Sequence, residues 1–257
     1  MDKHPTSYFT QEDLKDFDRE GYLIVPEMYS EQETSEISTW IDELASRPPV
    51  VGKQMVYFED DLREEGQRIL SRIEKFVEFA PELHRLVYDE RMTGRLAELL
   101  GETPLLFKEK INFKLPGGCG FEPHQDIQPG WDDYAPYFIS GLLTVDPSTV
   151  ENGCIELAPG QHKRGLIGER WKPLKGEQLA GVKFKKFPTS PGDVVFFDCF
   201  VPHQSEPNLT GEPRRNIYLT FNRQSAGDHR EQYFADKRKS YPPDYERDPN
   251  KEYKFRV

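Results

Sequence analysis

The residues of this chain best suited to chemistry gather around one short segment, Phe121-Glu122-Pro123-His124-Gln125-Asp126. His124 and Asp126 are two positions apart. Alternate residues of an extended strand project to one face, so an imidazole and a carboxylate at this spacing converge on a single ion. His203, 77 positions after Asp126, stands just past the strand-like run 194–197 and offers a third ligand. Two histidines and one carboxylate on one face of an octahedron leave three positions open. That is the pattern of non-heme Fe(II) oxygenases, where O2 and an electron-donating cosubstrate both need to reach the metal. Spacing alone leaves other roles open for the same residues: surface or core histidines, a zinc hydrolase, or a metal-binding cupin-like jelly roll without turnover.

Eleven residues beyond His203 stands Arg214, after the turn-forming Gly211-Glu212-Pro213, with Ser205 and Asn208 in between. A guanidinium on a neighbouring strand can meet a carboxylate with two parallel N–H donors. A dicarboxylic cosubstrate chelating a metal at one end would need such a partner at the other. An ordinary surface ion pair is the competing role for Arg214. Lys108, Lys110 and Lys114 lie on one strand-like run, and Lys108 and Lys110 share a face that Glu109 does not. If that face lines an interior, the ammonium groups require anions; if it looks outward, they are solvated. The other histidines are less informative. His4 sits near the terminus, His84 on a helix among Glu and Arg, His162 in a Pro-Gly turn, and His229 in the C-terminal stretch. The three cysteines, Cys119, Cys154 and Cys199, form no CxxC pair and read as reduced thiols.

The elements that must position these residues change character along the chain. Thr10 followed by Asp13, and Ser30 followed by Glu33, are capping-box starts that predict helices over 11–20 and 31–46. A short strand over 22–25 lies between them. Further helices are expected over 71–80 and 81–100. From residue 105 short strand-like runs alternate with Gly/Pro turns, at 105–113, 137–145, 154–158, 182–187, 193–198 and 216–222. The stretch 224–257 is rich in charge, Tyr and Pro, and reads as a decorated loop, tail or lid. The expected class is α+β, one domain over 1–257 with a helical front (10–100) and a β core (105–223).

Composition narrows the partners. The net charge of −11 disfavours a nucleic-acid backbone, and aromatics at 12% argue for a packed core. No apolar run is long enough to span a bilayer, and the N-terminus has no signal-like apolar region. A soluble, cytoplasmic protein acting on a small molecule, without nucleic acid or membrane, is expected; nothing in the sequence bears on oligomeric state.

Several segments together resemble the phytanoyl-CoA hydroxylase family of Fe(II)/2-oxoglutarate-dependent dioxygenases. They are Gly21-Tyr-Leu-Ile-Val-Pro26, His124-Gln-Asp126, Asn152-Gly-Cys-Ile-Glu-Leu-Ala-Pro-Gly-Gln-His162-Lys163, Pro191-Gly-Asp-Val-Val-Phe-Phe197, and His203 and Ser205 with Asn208 and Arg214. They occur in family order over residues 17–223. The resemblance implies a double-stranded β-helix (jelly-roll) core with N-terminal helices buttressing one sheet. It also implies Fe(II) on His124, Asp126 and His203, with Arg214 on the distal carboxylate of 2-oxoglutarate and Ser205 beside it. Lys108 and Asn112 match positions that help hold the cosubstrate in relatives. Asp126 disfavours halogenation, because halogenating relatives carry a small residue there. Trp131 and Tyr134 are expected at the mouth of the substrate pocket, with packing under the loop after His124-Gln-Asp126 as the alternative for Trp131, and Lys110 on an anionic substrate group. The implied reaction is hydroxylation of an unactivated C–H, with succinate and CO2 as co-products. A small polar or anionic substrate such as an aminophosphonate is favoured over an acyl-CoA or a secondary metabolite.

Overall fold

The computed structural model describes residues 7–253; His4 and the last four residues of the C-terminal stretch lie outside them. Both capping boxes form. Thr10 and Asp13 start α1 (Gln11–Glu20), which stops at Gly21 with φ 83°, and Ser30 and Glu33 start α2 (Glu31–Ser46). Between them runs β1 (Tyr22–Val25). The expected helix over 71–80 does not form. The chain instead makes an antiparallel hairpin of β2 (Met55–Asp60) and β3 (Arg68–Glu74). The spacing of Ile73, Phe76, Val77 and Ala80 looks helical, but strand pairing overrides local preference: Ile73 opposes Ile111 across the next strand. The expected helix over 81–100 is broken into α3 (Pro81–Val87) and α4 (Glu90–Leu100). The Asp89 side chain accepts the Arg91 N–H and so caps a new helix start.

The β core follows the expected runs as β4 (Pro104–Lys114), β5 (Phe121–His124), β6 (Phe138–Thr144), β7 (Ile155–Leu157), β8 (Lys185–Phe187), β9 (Val194–Asp198), β10 (His203–Ser205) and β11 (Arg214–Arg223). The short strands β5 and β10, which carry two candidate ligands, were absent from the expected runs. All pairings are antiparallel. One sheet has the order β1-β9-β6-β11-β4-β3-β2 and the other β5-β10-β7-β8, a jelly roll of two facing sheets.

Register separates the two faces of the larger sheet. Its outer face carries Ile73, Ile111, Ile139, Leu143, Val194, Phe196, Ile217, Leu219 and Phe221. These pack in one core with Phe17, Ile37, Ile41, Leu83, Met92 and Leu96 of the helical layer, as expected for helices buttressing one sheet. The inner face, toward the smaller sheet, is apolar on the β1-β9-β6 side, with Ile24, Val195, Phe197 and Leu142. On the β11-β4-β3 side it is polar. Pairings Arg214↔Lys114, Asn216↔Asn112, Tyr218↔Lys110, Thr220↔Lys108, Arg72↔Asn112 and Glu74↔Lys110 place all of these side chains on that face.

The stretch after 223 is not a plain tail. It contains α5 (Arg230–Ser240), whose Arg230, Tyr233 and Phe234 are buried. Two of its inward residues, Arg230 and Lys237, are charged, which hides the apolar periodicity of a packed helix.

Candidate metal centre and the basic interior

His124 on β5 and His203 on β10 are direct cross-strand partners, their ring centroids 4.1 Å apart. Asp126 occupies the turn that leaves β5. Gln125 pins this turn, donating through Nε2 to the carbonyls of Gly165 (2.7 Å) and Phe200 (2.6 Å) and accepting the Ile167 N–H (2.8 Å). One donor atom from each of His124, Asp126 and His203 lies within 4.8 Å of the others, with His203 Nε2 3.8 Å from Asp126 Oδ1. Each histidine has Nδ1 at a backbone carbonyl, Glu122 O at 2.7 Å for His124 and Val201 O at 3.0 Å for His203. Those bonds fix the Nδ1–H tautomer and leave Nε2 lone pairs for a metal.

Asp126 Oδ2 accepts from Ser140 Oγ (3.2 Å), which in turn meets Thr220 Oγ1 (2.8 Å), so the carboxylate is held from the facing sheet. Burial, and then the neighbouring His203, push His124 down to about 3. Burial likewise lowers His203. Burial works against the Asp126 carboxylate, but His203 and Lys110 outweigh it and hold its pKa below the usual value. Two neutral imidazoles and one carboxylate are the protonation states a divalent metal needs. The donor set and the tautomers therefore fit Fe(II).

Arg214, only 1% exposed, faces the same interior, and its Nε has no hydrogen-bond partner among the described residues. With its amide oxygen turned inward, Asn216 accepts from Arg214 Nη1 at 2.8 Å. Beside it Lys114 Nζ donates to Ser205 Oγ (2.7 Å) and to the carbonyls of Gly153 (3.3 Å) and Glu206. Burial, and then Arg214, push Lys114 down to about 6. Arg215 leaves the strand on the other face and pairs with Asp146 (2.7 Å) and Asp42 (2.6 Å).

The other candidates fall as follows. Lys108 and Lys110 both face inward, so the solvated alternative does not hold. Lys110 Nζ rests over the rings of Tyr218 (4.6 Å) and Phe121 (5.9 Å), and burial, then Lys108, push it down to about 8. Lys108 does not join Arg214. It opposes Thr220, six residues along β11 and roughly 20 Å from the Arg214 level. Of the three lysines that the sequence leaves unranked for the cosubstrate, Lys114 is the one that stands beside Arg214. Asn112 lies between them, its buried Oδ1 without a partner. Trp131 is not a rim residue: at 2% exposure it packs on Phe107 and Phe138. Tyr134 is half-buried and donates to Asp236 of α5 (3.0 Å). His162 packs under Gly21 with Nε2 at Asp18 O, a structural role. His84 stacks on Tyr88, His229 meets Ala226 O, and the cysteines are free.

Sequence reading missed Ser140 and Thr220; for Ser140, a polar residue in the apolar run of β6 was a usable signal, whereas β11 around Thr220 is polar along much of its length. It also missed Arg72, Glu74 and Lys237. The first two lie in the segment expected as a helix and the third in the expected tail. Among the described residues no helix is long and apolar enough to cross a membrane.

Comparison with known proteins agrees with this geometry. The family model "Phytanoyl-CoA dioxygenase" matches residues 17–216. A 2-aminoethylphosphonate dioxygenase from uncultured bacterium HF130_AEPn_1 is 37% identical over 96% of this chain and 94% of its own. A methylphosphonate hydroxylase from Gimesia maris is 36% identical over 90% of this chain and 88% of its own. In fold, the chain superposes on EctD from S. alaskensis with 2-oxoglutarate and 5-hydroxyectoine at a TM-score of 0.72 and 22% identity, covering 87% of this chain and 79% of that one. With a match over most of its length, the chain belongs to the phytanoyl-CoA dioxygenase family and is an Fe(II)- and 2-oxoglutarate-dependent dioxygenase.

Proposed function

We propose that this dioxygenase hydroxylates a small organophosphonate at an unactivated C–H, releasing succinate and CO2. In this reading His124, Asp126 and His203 hold Fe(II). When bound, the metal supplies O2 activation coupled to oxidative decarboxylation of 2-oxoglutarate. The protein's residues bind, orient and shield. The Arg214 fork takes the distal carboxylate of the cosubstrate, with Ser205 and Lys114 beside it. Ser140 and Thr220 keep the Asp126 carboxylate aimed at the metal. Asn112, whose buried carbonyl lacks a partner, faces the path between Arg214 and the metal. Trp131, Phe107 and Phe138 exclude bulk water from the reacting carbon.

The observation that carries the substrate class is the excess of buried basic groups on the inner face. The buried Lys108, Lys114, Arg214 and Arg72 and the half-buried Lys110 face it, with the buried carboxylates of Glu74 and Asp126 and the half-buried Glu59 near Arg72 and Lys114, in a chain whose net charge is −11. Buried charges require partners. The dianion of 2-oxoglutarate answers Arg214 and Lys114, which leaves Lys108 and Lys110 for an anionic substrate. The two relatives above are named for acting on phosphonates, which carry such a charge on a small body.

The test is a substrate panel with purified protein, Fe(II), 2-oxoglutarate and O2. It spans 2-aminoethylphosphonate, methylphosphonate, neutral and carboxylate analogues, and an acyl-CoA. Succinate formation and phosphorus NMR of the product are the readouts. Substrate-dependent succinate and a shifted phosphorus resonance with a phosphonate are expected. Turnover confined to the non-phosphonate compounds overturns the reading.

A further inference from the structure

Tyr218 stands on the inner face of β11, four residues beyond Arg214 and two before Thr220. Thr220 meets Ser140, the residue that holds Asp126. Alternate residues of a strand share a face, so Arg214, Asn216, Tyr218 and Thr220 form one inward row from the guanidinium to the level of the metal ligands. Across the sheet Tyr218 opposes Lys110 on one side and Leu142 on the other. Its ring lies under Lys110 Nζ at 4.6 Å and packs against the cluster that contains Phe197, whose own ring meets His203 at 5.2 Å.

The hydroxyl of Tyr218 reaches Arg214. Burial raises this phenol above its ordinary value, the guanidinium hydrogen-bonded to it works the other way, and the Asp126 carboxylate adds to the rise. The group is thus a neutral O–H at neutral pH, placed between the two ends of the site. A guanidinium carries donors only, so the phenol oxygen accepts this bond and its own proton is left to donate. Arg214 Nε, buried and without a hydrogen-bond partner among the described residues, is a second donor at the same corner. One carboxylate accepts from both. There is also room beside the ring. Lys110, Phe121 and Tyr218 face inward and are only half-buried, with Lys110 Nζ over both rings. The surface they keep exposed borders an opening between the sheets, between Arg214 and the triad.

We infer that Tyr218 is a specificity-determining residue for the cosubstrate. Its hydroxyl donates to the distal carboxylate of 2-oxoglutarate beside Arg214, and its ring carries the methylene carbons that lead from there to the metal. This rests on the reading of Arg214 as the partner of that carboxylate. A 2-oxo acid lacking the distal carboxylate leaves the donors of Arg214 and Tyr218 unpaired in a desolvated corner, which is how the pair selects a diacid.

The test titrates anaerobic Fe(II)-loaded wild type, Tyr218→Phe, Tyr218→Leu and Arg214→Ala with 2-oxoglutarate and with 2-oxovalerate, the same carbon chain without the distal carboxylate. Calorimetry and the visible charge-transfer band of the bound oxo acid read binding apart from turnover. Tyr218→Phe keeps the ring and loses one charge-assisted donor. It should bind 2-oxoglutarate about ten-fold more weakly and 2-oxovalerate within about two-fold of the wild type. Tyr218→Leu should weaken both acids, and unchanged 2-oxovalerate binding there overturns the part given to the ring. Tyr218→Phe protein that binds 2-oxoglutarate like the wild type, or that loses both acids alike, overturns the part given to the hydroxyl. Arg214→Ala should weaken 2-oxoglutarate alone. If it binds the cosubstrate unchanged, the reading of Arg214 fails and the role of Tyr218 falls with it.

Discussion

Arg214 and Arg215 are adjacent on β11, and their side chains leave the strand on opposite faces. Arg214 turns inward without a carboxylate, whereas Arg215 is saturated by Asp146 and Asp42. Losing a charge-assisted pair in a desolvated pocket costs about 2–4 kcal/mol. Arg214→Ala should therefore raise the half-saturating 2-oxoglutarate concentration by about two orders of magnitude. Arg215→Ala should leave that concentration unchanged and lower the melting temperature. The reverse pattern would remove Arg214 from the cosubstrate. Lys114 makes a second residue-scale prediction. Pushed down to about 6, it is largely neutral at pH 7.5 until a carboxylate arrives. The arriving anion raises its pKa, so binding takes up a proton, and affinity for 2-oxoglutarate falls as pH rises above 6. The same shift penalises the free fold fully below pH 6, and the penalty fades toward the ordinary lysine range. Titrations of metal-free protein in buffers of different ionisation enthalpy should show proton uptake at pH 7.5 in the wild type and little in Lys114→Met. Equal uptake in the two would assign the proton elsewhere.

Helix α5 shows how a buried ion pair can fix an element. Arg230 reaches through the packing to Glu109, fully buried on the outer face of β4. Removing one partner of a buried pair strands the other charge, at about 3–5 kcal/mol. Arg230→Met should thus lose about that much stability in urea unfolding, and Glu109→Met added to it should restore a good part. An unchanged midpoint for the single variant would show that Glu109 is satisfied without Arg230. The same helix marks where the sequence stops being legible. Helices α1 and α2 were readable because their capping boxes are local chemistry, and the triad because His124-x-Asp126 and His203 stand among the family's motifs in order, although Asp126 lies in the turn after β5 and not at the strand period that the spacing suggested. Ser140, Arg72 and Lys237 were not, since their meaning comes from non-local partners. Arg72 lies in Arg68-Ile-Leu-Ser-Arg-Ile-Glu74, whose apolar spacing fits a helix until β4 pairs with it. Lys237 lies in a helix with no apolar stripe. A register step decided the rest: that Lys114 rather than Lys108 stands by Arg214 follows from β4–β11 pairing, which spacing within one strand does not specify.

At the scale of the molecule, the site exists only where the two sheets are held face to face. The histidines come from the smaller sheet, and Ser140, Arg214 and the lysines from the larger. What backs the larger sheet is the helical layer, and the two share one apolar core rather than having one each. Phe17, Ile41 and Leu96 pack with Ile111, Leu219 and Phe221 in a single cluster. Peeling the helices away would expose the whole outer face of the sheet, a loss of burial that the remaining jelly roll cannot replace. Helices and sheets are therefore expected to unfold together. Two tryptophans report on the two sides of the sheet: Trp40 of α2 packs on the shared core, and Trp131 lies in the aromatic cluster beside Lys108. In urea, far-UV circular dichroism and the fluorescence of Trp40→Phe and Trp131→Phe variants, each referred to its own stability, should give coincident transitions. Bound 2-oxoglutarate with metal should shift all three midpoints upward together, because ligand binding to the native state stabilises the whole cooperative unit. If the Trp40 signal is lost at lower urea than that of Trp131, and ligand moves only the latter, the helical layer is a separate unit and the sheets alone hold the site.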